Sequence, residues 1–396
     1  MIVFQYIVLF LAMLFILYLS GRKLRYKYKI LSPAGITAIF VYTLNEGLRY
    51  GRGMDYNLYA MNYEDLAAGK ESRWDMSFLY IAKFLINFDI PWQGYVLLMS
   101  FMFIFATLCL LRNYQELCPW ALPLFVMFSI HEVENMVRWY MGFSFVLIGL
   151  SFMIDGKKKG LIYFLLYSIF ACTFHVALAP VPIILYLVTL KKTPFFSPFI
   201  TILLFFAISF SFQSKFMLKF VEFANVLSLV SERFENYGND AEFWLTGGFA
   251  GEGGFSVLPD IQELLILGCM VIWGYRTISV AGKKYLYAYN LFIIGLLLHP
   301  IARQIELVGR FAQPFYFFRG IVLAGIIYYI YQKKTLVVKP VFLTLSLLIF
   351  LNMGRRYIAA PIKSVPDHYL YIWDSDGKSY ESMYESWLFD IKNIQK

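Results

Sequence analysis

Apolar runs of about 15–20 residues recur from end to end of this chain, each closed by Lys, Arg, Gly or Pro, and they match a hydrocarbon core about 30 Å thick. Inside lipid every backbone N–H and C=O must be bonded within the protein, so only helices or closed barrels cross. The runs are continuous rather than alternating, which selects helices over strands. Composition agrees, since 60% of the residues are hydrophobic and 20% aromatic, more apolar surface than one soluble core can bury. The surplus faces lipid. The expected class is therefore all-α, a polytopic integral membrane protein whose first partner is the bilayer.

The first run, Ile2 to Leu19, lacks a charged n-region and a small-residue cleavage site, and its basic residues follow it. It reads as a retained span entering from outside. Further spans are expected at 31–48, 92–111, 117–131, 136–154, 161–174, 176–190, 195–212, 261–276, 285–301, 311–331 and 338–353, about twelve in all. This parity puts Arg22, Lys23, Arg25, Lys27, Lys29, Arg112, Lys157, Lys158, Lys159, Lys191, Lys192, Arg276, Lys283, Lys284, Lys333, Lys334 and Lys339 on the inside, with only Glu116 and Asp155 as acids. Nearly all other acids fall outside, the pattern of the positive-inside rule. The net charge of +9 is thus a matter of topology and calls for no nucleic acid.

Between Lys159 and Lys191 lies one apolar stretch of about 31 residues, long for one span and short for two. If both lysine clusters are on the inside, the chain turns back near His175, ahead of Pro180 and Pro182. One long tilted span, which would invert the parity of everything downstream, is the alternative. The transmembrane unit covers 1–353, with outside loops at 49–91 and 213–260, and a non-cytoplasmic tail rich in Tyr, Trp and acids follows from 354 to 396. The first loop includes a candidate interfacial helix from Ser77 to Phe88. The second opens with Phe216, Phe220, Phe223, Leu227, Val230 and Phe234 at helical spacing. Its glycine run, Gly247 to Gly254, lacks the strand and helix that flank a nucleotide loop and reads as a flexible connection. The four cysteines, Cys109, Cys118, Cys172 and Cys269, lack metal-ligand spacing.

Chemistry-bearing residues gather on the outside. Arg49 and Arg52, separated by Tyr50 and Gly51 and followed by Asp55, Tyr56 and Tyr59, sit where the second span leaves the membrane. The planar fork of arginine grips phosphate oxygens more specifically than the point charge of lysine. In the turn after the fourth span, Asn135 and Arg138 are three apart and are expected on one helix face, while His131 reads as a turn histidine. Arg303, Glu306 and Arg310 stand at i, i+3 and i+7, so two arginines could frame a pyrophosphate with Glu306 orienting them. Arg233, in Ser231 to Tyr237, is a weaker supporting candidate. Five arginines on one membrane face suit an anionic substrate with a lipid tail. No HExxH, Walker loop or nucleophile elbow is present, and no metal or cofactor is expected.

Taken in order, Arg49, Gly53, Asp55, Tyr56 and Tyr59, then Asn135 and Arg138, then Phe174, His175, Ala177 and Leu178, then Arg303 to Arg310 resemble the EpsG family of O-antigen-polymerase-like (Wzy) proteins. The resemblance spans about 30 to 330. It implies a glycosyltransferase-C-like helical fold in the bacterial cytoplasmic membrane, with an active site facing the periplasm or exterior. It further implies a metal-independent polymerase that joins undecaprenyl-pyrophosphate-linked oligosaccharides, with a chain-length regulator as a candidate partner. Arg49, Arg52, Arg138, Arg303 and Arg310 would stabilise the departing pyrophosphate. An acceptor hydroxyl needs a general base, for which His175 is the first candidate and Asp55 the second. A ligase acting on the same lipid donor, and a flippase for it, are the alternatives.

Overall fold

A computed structural model describes residues 1–72, 74–156, 158–212, 257–302, 306–333, 351–352, 354–359 and 366–394. Among the described residues the chain is helical, with one isolated antiparallel bridge, between Arg49 and Tyr371, and no strand. The expected Phe216 to Phe234 helix, the glycine run, Arg233, Arg303 and most of the last span lie outside the described residues.

The helices run α1 (Ile2–Tyr26), α2 (Pro33–Gly47), α3 (Met54–Ala67), α4 (Met76–Ile86), α5 (Trp92–Leu111), α6 (Cys118–Asn135) and α7 (Val137–Ile154). They continue as α8 (Gly160–Cys172), α9 (Pro180–Leu190), α10 (Pro198–Phe212), α11 (Val257–Ala302), α12 (Glu306–Tyr316), α13 (Arg319–Lys333) and α14 (Tyr380–Ile394). Among the described residues five stretches are long and apolar enough to cross a membrane: Ile2–Tyr26, Trp92–Asn135, Val137–Ile154, Leu264–Ala302 and Val308–Ile330. Two of them are bent. A 3₁₀ segment, Arg112–Leu117, joins α5 to α6, and Gly282, at φ 78°, breaks α11 with a backbone conformation that side-chain-bearing residues rarely adopt. Each of the two bent stretches covers two of the expected spans, one on either side of its bend, and the expected spans at 31–48, 161–174, 176–190 and 195–212 fall on helices of 11–15 residues. The protein is an integral, polytopic membrane protein.

Local signals explain the boundaries. At the start of α2, Ser32 Oγ accepts from the Gly35 amide at 3.3 Å and Pro33 fills the first helical position, where its missing N–H costs nothing. The long apolar stretch ending at Lys191 divides into α8 and α9 around residues 173–179, the turn expected near His175. α8 packs along α7 at close range because Gly142 and Gly149, seven apart, present one bare face. A Cβ on Gly149 would stand 2.9 Å from Tyr167 Cβ and 3.1 Å from Phe164 Cα. Small residues at such a seam allow the backbone approach on which helix association in lipid depends.

The two ends of the bundle differ in chemistry. At one, Arg25 lies 5.8 Å from the ring centroids of both Trp120 and Tyr328, and Arg112 pairs with Asp155 at 3.7 Å. There too Asn113 donates to the Ser151 carbonyl at 2.8 Å and accepts from Lys284 at 3.1 Å. These are the residues assigned to the inside by charge. The arginine motif and its partners occupy the other end.

α12 reaches that second end by packing on α11. Gly295 of α11 meets α12 at its backbone, and a Cβ there would run into the Tyr316 amide. Gly295→Ala is therefore expected to destabilise the protein by about 1–3 kcal/mol, the usual cost of overpacking. Unfolding in detergent measures it, and an unchanged transition would show that the α11–α12 seam can yield.

Candidate functional site

The chain leaves α2 through Glu46, Arg49 and Arg52, and all three side chains are buried, at 0%, 1% and 2% exposure. Such burial requires partners. Arg49 Nη1 donates to the Glu46 carbonyl at 2.6 Å and lies 3.9 Å from Glu46 Oε2, with its guanidinium 5.4 Å from the Tyr56 ring centroid. Arg52 Nη1 donates to Glu134 Oε1 at 3.1 Å and stands 4.0 Å from Glu46 Oε1. Its guanidinium lies between two rings, 4.3 Å from the Tyr371 centroid and 4.9 Å from that of Tyr6. His131 Nδ1 closes the row at 3.5 Å from Glu134 Oε2. Two arginines, two glutamates and a histidine thus form one network between α2 and α6. Arg49 Nε, Arg52 Nε and Arg52 Nη2 have no hydrogen-bond partner among the described residues.

The connection from α2 to α3 is fixed by its own polar groups. Asn57 Nδ2 donates to the carbonyls of Gly51 and Gly53, each at 3.0 Å. Gly53 has φ 93°, and a Cβ there would sit 3.2 Å from Asn135 Oδ1. The positive φ favours glycine, and the contact with Asn135 leaves little room for a side chain. Asn135 Oδ1 in turn accepts from the Asp55 amide at 3.0 Å, which ties the α3 N-terminus to the end of α6.

A second group gathers where α3, α4, α7 and α12 meet. Arg138 Nη1 pairs with Asp75 Oδ2 at 3.0 Å, and its guanidinium lies 5.7 Å from the Tyr59 ring centroid. Burial raises the pKa of the Tyr59 phenol above its usual value. Arg138 pulls it down, Asp55 pushes it up and Arg310 pulls it down again, so the charges of both arginines act on this one hydroxyl. Arg310 is held near by α12, where Gln313 donates to Glu132 at 3.3 Å. Arg138 Nε has no hydrogen-bond partner among the described residues.

Several expectations change here. Asn135 and Arg138 do not share a helix face. Met136, at φ −88° and ψ 51°, ends α6 and starts α7, so Asn135 points to Gly53 and Asp55 while Arg138 points to Asp75. The face expected of Arg303, Glu306 and Arg310 has only its last residue's side chain among those described. His175 caps a 3₁₀ turn, Val176–Leu178, with Nδ1 accepting from the Ala177 amide at 3.3 Å. Beside it Thr173 meets Ser77 of α4, their hydroxyls 2.6 Å apart, which brings the α8–α9 break to the Asp75–Arg138 end.

Sequence reasoning missed the tail. It docks on the arginine motif: the Tyr50 amide donates to the Leu370 carbonyl and the Ile372 amide to that of Leu48, both at 3.0 Å. Trp387 Nε1 donates to the Gly51 carbonyl at 2.9 Å, and Tyr380 stacks on Tyr50 at 4.9 Å. Glu46 and Asp75 were missed as well. An acid at the end of a span, three residues before an arginine, is the signal that could have marked Glu46. Among the described residues no three His, Cys, Asp or Glu side chains gather as a metal site.

The model of the EpsG family matches residues 34–362, from the start of α2 to the approach of the docked tail. The chain belongs to the EpsG family. As an EpsG-family protein it is a polysaccharide-polymerase-like, glycosyltransferase-like membrane protein. No curated protein and no solved structure matches it.

Proposed function

We propose that this EpsG-family protein lengthens a polysaccharide by transferring the growing glycan from undecaprenyl pyrophosphate to the next lipid-linked repeat unit. The site faces the outer side of the bacterial cytoplasmic membrane, opposite the basic loops. The observation that carries the reading is the meeting of Arg138, Asp75 and Tyr59 at the end of the bundle away from those loops, where the charge of Arg310 acts on the same Tyr59 hydroxyl. Two cations at a membrane face suit a pyrophosphate whose lipid tail remains in the bilayer. They would take up the charge that develops as the sugar–phosphate bond breaks, without a metal. Arg49 and Arg52, already engaged with Glu46 and Glu134, hold the platform beneath and supply positive potential. The energy resides in the lipid-linked donor, so no nucleotide is needed. A glycosyltransferase-C-like arrangement, Arg303 and Glu306 as further pyrophosphate ligands, Arg233 as support and a chain-length regulator as partner belong to the same reading.

Purified protein in lipid nanodiscs, given its cognate lipid-pyrophosphate repeat unit, is expected to convert it into a ladder of longer chains. Transfer of a single finished glycan to a different acceptor would instead favour the ligase, and no transfer at all would refute the enzyme.

A further inference from the structure

The acceptor hydroxyl needs a group to take its proton, and His131 and His175 differ in what their Nδ1 atoms face. His175 Nδ1 accepts from the Ala177 amide. In neutral imidazole an accepting Nδ1 requires the proton on Nε2, which makes His175 a donor rather than a base. His131 shows the opposite pattern. Its Nδ1 faces Glu134 Oε2 at 3.5 Å, which favours the tautomer with the proton on Nδ1 and makes Nε2 the basic nitrogen. The imidazole is 45% exposed and stacks on Tyr357 at 5.3 Å, so it is oriented yet reachable. Glu134 is itself held by Arg52 at 3.1 Å. His131 lies four residues before Asn135, about 6 Å along the helix axis. Asn135 binds the Asp55 amide, so the imidazole stands at the same end as Arg138 and Arg310.

We infer that His131, oriented by Glu134, is the general base of the glycosyl transfer. This rests on the polymerase reading above. The acceptor hydroxyl gives its proton to His131 Nε2 as its oxygen bonds to the anomeric carbon. The bond from that carbon to the pyrophosphate oxygen breaks, and its electron pair leaves with the lipid pyrophosphate. The imidazolium is stabilised through Nδ1–H by the Glu134 carboxylate until the proton passes to solvent. The base and its orienter repeat the logic of other activated hydroxyls. The charged and titratable groups facing this dyad are Tyr42 and Glu46 of α2, Arg49 and Arg52 of the following loop, Tyr6 of α1, and Tyr357 and Tyr371 from the C-terminal segment.

The test is chain lengthening by reconstituted wild-type, His131→Ala, His131→Gln and His175→Ala proteins, measured across pH with the lipid-linked repeat unit. The wild-type rate is expected to rise with pH through the range in which imidazoles lose a proton. Both His131 variants should lose about 100-fold or more in kcat and lose that acid limb, with KM for the donor within about threefold. His175→Ala should keep the limb. If wild-type protein lengthens chains and either His131 variant keeps its rate and pH profile, the assignment falls and the polymerase reading stands. If wild-type protein fails on its cognate substrate, the polymerase reading falls and takes this assignment with it.

Discussion

Replacing Arg138 with Ala is expected to reduce chain lengthening by about 10²–10³-fold, the usual effect of removing one preorganised donor to a developing negative charge. Arg138 pairs with Asp75 at 3.0 Å, so the guanidinium is already held in place, and its Nε lacks a hydrogen-bond partner among the described residues. Arg310→Ala should behave similarly, because its charge acts on the same Tyr59 hydroxyl as that of Arg138. Arg138→Lys should recover only part of the rate, since an ammonium keeps the charge but not the fork. All three variants are expected to insert in the membrane at wild-type level, which fractionation checks. Normal chain lengths in Arg138→Ala and Arg310→Ala would remove these residues from the site.

Glu134→Ala should act on stability first. It takes away the 3.1 Å partner of a buried guanidinium, and Arg52 would be left with Glu46 at 4.0 Å and two aromatic faces. Removing one side of a buried ion pair costs about 3–5 kcal/mol because the remaining charge is stranded. The loss should appear as a lower unfolding midpoint in detergent and less protein in the membrane. A midpoint equal to wild type would mean that Glu46 alone compensates Arg52. The Asp65–Lys70 pair, exposed at 2.7 Å, is the contrasting case, worth at most about 1 kcal/mol.

Much of this architecture was legible in the sequence because lipid imposes simple rules. Continuous apolar runs announce helices, and the clustering of Arg112, Asp155 and Lys284 at one end follows the charge bias of the loops. The break near His175 was legible from length alone, since the stretch up to Lys191 exceeds one comfortable span. Long-range pairings were not. Nothing local to Tyr371 or Trp387 indicates that the tail pairs with residues 48–51, more than 300 positions earlier. The bend at Met136 carries neither Gly nor Pro, so helical spacing wrongly placed Asn135 and Arg138 on one face. The Arg49 to Arg52 string looked like a phosphate grip because sequence shows a charge without showing what neutralises it. Glu46 and Glu134 come from two different helices, and only folding brings them to Arg52.

Binding of lipid pyrophosphate at the arginine end of the bundle can be measured directly, without requiring turnover. Undecaprenyl pyrophosphate and undecaprenyl monophosphate would each be titrated into purified wild-type, Arg138→Ala and Arg310→Ala proteins in nanodiscs. The account predicts tighter binding of the pyrophosphate by wild-type protein, and loss of that preference in both variants. Equal affinity of all three proteins for the pyrophosphate would contradict it.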